Sequence, residues 1–171
     1  MTIEKALAAV VGLAVLAGCT STPDSAPAPT GTTSATPTTT PTEVAGISCA
    51  TAPEDVVGAT LRLNLTHPRE TIDGTTVTCK YDGGGADTVV RFQTKSDTAA
   101  FAAGKQGFGT GGQKVKDLPD FHDEAYTGTL GTGEVVQNTL VARKGAVEIL
   151  VTSGANFEQE KKLVTELFER L

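Results

Sequence analysis

The chain is expected to fold as α+β: an antiparallel sheet of about five strands with three helices, preceded by a disordered linker. Three observations predict this. Strand-like runs occur in adjacent groups, helical stretches stand before, between and after those groups, and no βαβ unit repeats along the chain.

The elements can be taken in order. Thr51-Ala52-Pro53-Glu54 has the spacing of a capping box with proline near the first turn, which predicts a helix running to about Leu63. Val56, Val57, Thr60 and Leu61 give it one apolar face. Thr75 to Asp82 and Asp87 to Thr94 are rich in β-branched residues and flank Gly83-Gly84-Gly85, the composition of a hairpin. Ser96 or Asp97 then caps an alanine-rich helix ending near Gly104, and a glycine-rich loop follows. Glu124 to Leu130, Glu134 to Ala142 and Ala146 to Thr152 read as three antiparallel strands, the last two joined by a tight turn at Lys144-Gly145. Asn156 caps a closing helix in which Leu163, Val164, Leu167, Phe168 and Leu171 recur at helical spacing. Glu158–Lys162 and Glu166–Arg170 are i,i+4 pairs on its wet side.

Residues ahead of this domain have another character. Ala6 to Leu16 is an apolar run of about 11 residues, where a spanning helix needs about 20. It ends in Leu16-Ala17-Gly18-Cys19, the pattern of a bacterial lipobox, in which the cysteine is acylated and becomes the mature N-terminus. Residues 1–18 are therefore expected to be a lipoprotein signal peptide and Cys19 the point of lipidation. Each buried methylene contributes about 0.8 kcal/mol and one chain holds only marginally. The two chains of a diacylglyceryl cysteine would tether the protein stably at the extracytoplasmic face of the cell membrane. Residues 19–45 are Thr, Pro, Ser and Ala with almost no charge, too poor in apolar surface to offset ordering. They are expected to be a disordered spacer reaching about 30 Å as a coil. Residues 46–171 are long enough for one domain.

Cys49 and Cys79 remain as an even pair in an oxidising compartment, which predicts a disulfide closing a loop of about 30 residues and contributing about 3.5 to 4 kcal/mol. With 20 Asp and Glu against 14 Lys and Arg, the net charge is −6. No basic stripe is present, which argues against nucleic acid as a partner.

Motifs for chemistry are sparse. Gly107-Phe108-Gly109-Thr110-Gly111-Gly112 matches G-x-G-x-x-G, but it follows a helix instead of a strand and opens none, so it reads as a loop. Phe108, between those glycines, is a candidate contact for a ligand or partner. Asp117, Asp120, His122, Asp123 and Glu124 form a local cluster around one of only two histidines. Its spacing does not fit a calcium loop, and Pro119 and Phe121 suit a turn with the aromatic turned inward. No serine elbow, S-x-x-K, Cys/His pair or H-E-x-x-H is found, so no catalytic residue, metal site or cofactor is called for.

The lipobox, the Thr/Pro spacer, a cysteine before a short helix and a second one in Thr78-Cys79-Lys80-Tyr81 together resemble small actinobacterial, mycobacterial-type cell-envelope lipoproteins of uncharacterised function. Leu118-Pro119-Asp120-Phe121-His122-Asp123-Glu124-Ala125-Tyr126 is similar to that family's turn, with His122 where the family has glycine, and Val141 to Val147 is similar to its closing hairpin. The resemblance implies an exported α+β domain with a PsbP-like sheet and carries over no catalytic residue. The expected function is a non-enzymatic binding domain for an envelope component, a lipid-like ligand or a partner protein, with Phe108, Phe121 and His122 as candidate contacts. The alternatives are a cell-wall hydrolase or metal-dependent enzyme using the Asp117–Glu124 cluster, and an accessory or sensor subunit of an envelope signalling or transport complex.

Overall fold

The computed structural model describes residues 46–131 and 136–171. The expected signal peptide, Cys19 and the expected linker lie outside the described residues. The described chain is α+β with one seven-stranded, wholly antiparallel sheet and three α-helices. In chain order these are α1 (Glu54–Leu61), β1 (Arg69–Asp73), β2 (Thr76–Tyr81), β3 (Thr88–Thr94), α2 (Thr98–Thr110), β4 (Lys114–Asp117), β5 (Glu124–Leu130), β6 (Gln137–Lys144), β7 (Val147–Ser153) and α3 (Phe157–Glu169).

The spatial order β1-β2-β3-β7-β6-β5-β4 joins two meanders back to back, with β7 pairing against β3. Side chains alternate across the pleat, so each strand serves two layers. Leu140, Ala142, Ile149 and Val151 join Val77, Cys79, Tyr81, Val90 and Phe92 in the larger core, which Val57 and Leu61 of α1 and Leu163, Val164, Leu167 and Phe168 of α3 complete. Their neighbours Val141 and Leu150 face the other way, meeting Tyr126 and Phe101 of α2 in a second, smaller core.

The expected count of five strands is corrected to seven. β1 is an edge strand exposed at every position but Ile72, and β4 has only Val115 partly covered, so neither carries a hydrophobic alternation. Their pairing to β2 and β5 is what makes them strands.

The glycine-rich loop expected after Gly104 is also corrected. α2 continues through Gly104, Gly107 and Gly109 to Thr110, because Phe108 packs near Tyr126, with ring centroids 5.7 Å apart, and holds the last turns to the sheet. The helix then stops in a Schellman arrangement. The Gln113 N–H donates to the Phe108 carbonyl at 3.3 Å and the Gly112 N–H to that of Gly109 at 3.2 Å, with Gly112 at φ +84°. The G-x-G-x-x-G run is thus a helix end.

The capping box expected at Thr51 does not form. Thr51 closes a short 3₁₀ turn, Cys49–Thr51, capped by the Ser48 hydroxyl, and α1 starts after Pro53 without a side-chain cap. The other caps are as expected: Asp97 accepts from the Ala100 N–H, and Asn156 forms a full capping box with Gln159. Glu166 pairs with Arg170, whereas Glu158 pairs with Lys161, one residue short of the expected partner. β6 runs to Lys144, and residues 134–135 of the strand expected there lie outside the described residues. The disulfide joins Cys49 to Cys79 and fastens the entry of the domain to β2, beneath α1. None of the described helices is long and apolar enough to cross a membrane.

Candidate functional site

β4 and β5 are joined by the segment Leu118–Asp123, which folds back along α2 and leaves a cleft of about 280 Å³ between them. From α2 come Phe101, Ala102 and Lys105, on one face by helical spacing. The opposite wall is the 117–125 segment itself. The apolar floor consists of Phe101, Leu118, Phe121 and Ala125, and the rim carries Asp117, Asp120, Asp123 and Glu124 against the ammonium of Lys105.

The segment is pinned at both ends. The Leu118 N–H donates to the Ala125 carbonyl and the Asp123 N–H to that of Arg143, each at 3.0 Å. The Asp123 carboxylate accepts from the Gly145 N–H at 2.7 Å, tying the wall to the β6–β7 turn. Between these anchors the backbone is strained: Asp120 and His122 sit at φ +60° and +55°, a left-handed region that costs a side-chain-bearing residue energy. Glycine would meet the second angle at less cost.

Three of the four rim carboxylates have partners. Asp117 binds Lys105. Glu124 accepts from Arg143 Nε at 2.8 Å, and Asp123 lies 3.7 Å from Arg143 Nη1. The Arg143 head is further held by the Gly145 carbonyl at 2.6 Å. Asp120 has no ion-pair partner among the described residues and stands exposed. Also among the described residues, no group of three or more His, Cys, Asp and Glu is placed to hold a metal ion. The five members of the Asp117–Glu124 cluster are neighbours in sequence whose side chains go to different partners.

His122 turns away from the carboxylates. Its ring stands 4.4 Å from Phe121 and 4.5 Å from Phe168 of α3, centroid to centroid. Its Nε2 is buried without a hydrogen-bond partner among the described residues. Burial, reinforced by the Lys144 charge, holds its pKa below the usual histidine value, against a smaller opposing pull from Asp123. The other histidine, His67, is exposed and hydrogen-bonded to Glu54, which raises its pKa. The two are 55 residues apart and share no site.

Of the candidate contacts, Phe121 and His122 lie in the cleft wall and Phe108 does not. It is half-buried against Tyr126 and Val115, two turns beyond Phe101, on the helix that replaces the expected loop. Phe101, Ala102, Lys105 and Leu118 were not among the expected contacts. The one sequence signal for them is the i,i+4 relation of Phe101 to Lys105 in a helix that turns its face towards the 117–125 segment. No protein-family model and no curated protein matches the chain.

Proposed function

We propose that the protein is a lipid-anchored, extracytoplasmic binding domain that receives a basic side chain of a partner protein of the cell envelope in the cleft between α2 and the 118–123 segment. The observation that carries this reading is the cleft's make-up, an apolar floor beneath a rim of four carboxylates and one lysine. A lysine or arginine side chain has that complementary form, an apolar stem under a cationic head. A cleft of about 280 Å³ sits at the small end of ligand pockets, which favours a single side chain over an acyl chain. Asp120 is the carboxylate best able to take the head group, since Asp117, Asp123 and Glu124 are shared with Lys105 and Arg143. Arg143 and Lys105 fix the other carboxylates and so shape the rim. Lipidation at Cys19 rests on the lipobox, and the PsbP-like character of the sheet rests on the family resemblance.

Two measurements test the reading. Intact mass of the protein from native membranes should show a chain beginning at a diacylglycerylated Cys19. An unlipidated mass would remove the anchor. Fluorescence polarisation should show saturable binding of a short peptide carrying one lysine among apolar residues. Asp120→Asn should weaken it by up to about fivefold, as expected for loss of one exposed ion pair. Equal binding of the glutamate version of the peptide would overturn the assignment.

A further inference from the structure

We propose that the 118–123 segment is an acid-released latch: His122, wedged between Phe121 and Phe168, holds the cleft wall in place while neutral and releases it on taking up a proton. As a control of binding in the cleft, this rests on the reading given above.

The geometry carries the argument. The wall is anchored at Leu118 and Asp123 and strained between them at Asp120 and His122. What holds the strained part down is the packing of Phe121 and His122 onto the larger core and onto Phe168. A neutral imidazole can leave Nε2 as a bare acceptor in that apolar place at modest cost. A protonated one would put an N–H and half a charge where no acceptor exists among the described residues, which is more expensive than exposing the ring to water. The charged groups acting on the ring are Lys144 at the end of β6, which opposes a proton, and Asp123 beside it, which favours one. From α3 the contact is the uncharged Phe168. Burial and Lys144 outweigh Asp123. Strain relief works in the same direction, because a released segment need not keep two side-chain-bearing residues at positive φ. Release removes Leu118 and Phe121 from the floor and Asp120 from the rim together, dismantling the cleft.

Amide hydrogen exchange of the full chain, followed from pH 7.5 to pH 4.5 and corrected for the intrinsic pH dependence, tests the latch. Protection of the segment's two hydrogen-bonded amides, Leu118 and Asp123, should fall severalfold as the pH drops below the ordinary histidine range. The imidazole resonances of His122, easily told from those of His67, should titrate in the same interval. His122→Asn and His122→Gly both tolerate positive φ and neither titrates there, so each should remove the transition. Constant protection in the wild type, or the same loss in both variants, would overturn the proposal. No ligand enters this experiment, so its result is readable whether or not the lysine peptide binds.

Discussion

A single buried carboxyl group illustrates how much one residue can govern. Glu160 of α3 is fully buried, and its Oε1 accepts from the Ser153 hydroxyl at 2.7 Å while Oε2 has no partner among the described residues. Burial pushes its pKa up to about 8 from an ordinary value of 4.5, against the smaller, opposing effect of the Ser153 bond. Between those two pH values the native state holds a proton that the unfolded state has lost. This contribution to stability is therefore fully present below about 4.5 and is lost as pH rises through about 8. Denaturant unfolding should show Glu160→Gln with a flatter pH dependence than wild type across that window; parallel curves would mean the carboxyl is ionised in the native core. Glycines divide by backbone angle in the same residue-by-residue way. Gly107 is helical with nothing within 4 Å of where a Cβ would stand, so Gly107→Ala should stabilise by about 0.5–1 kcal/mol. Gly83 sits at φ +102° with the Asn64 carbonyl oxygen where its Cβ would go, so Gly83→Ala should destabilise the β2–β3 turn. Thermal unfolding of the two variants should give shifts of opposite sign.

Among the elements, legibility in the sequence follows burial. β5 and β7 pack on both faces, and their sequences carry the apolar and β-branched density that marks a strand. α3 shows its period because one face enters the core between β6, β7 and α1. β1 and β4 are invisible by the same logic, since an edge strand with solvent on both faces has no pattern to display. α2 misleads for a different reason. Local preference favours ending it at Gly104, and the tertiary contact of Phe108 with Tyr126 and Val115 overrides that preference. The cost of glycine in a helix leaves the last turns of α2 weakly held, so truncation of Phe108 should be felt there first. Phe108→Ala should raise amide exchange from about residue 105 to Thr110 while leaving the first turn of α2 capped by Asp97. At the start of α3, Asn156 and Gln159 each accept from the other's backbone N–H in a capping box, and Asn156→Ala should cost about 1 kcal/mol by equilibrium unfolding.

At the scale of the whole molecule, the domain is a sheet covered on one face by α1 and α3 and on the other, over β4 to β7, by α2. The Cys49–Cys79 bond ties the chain's entry into this body, and replacing both cysteines by alanine should lower stability by about 2–5 kcal/mol. Half of the cleft could be read in advance: the acidic run, Phe121 and His122 stand together in the sequence, but α2 brings Phe101 and Lys105 to them only through the fold. The pairing of Arg143 with Glu124 likewise depends on the register of β5 against β6, which sets those two residues opposite one another. The account turns on the cleft being a site for a cationic group above an apolar floor. Its most direct measurement is an amide and side-chain NMR titration of the protein at pH 7.5 with n-butylammonium chloride, beside sodium butyrate at equal ionic strength. The account predicts saturable shifts confined to 101–105 and 117–125 with the ammonium probe and none there with the carboxylate. Shifts elsewhere, or equal responses to both probes, would contradict it.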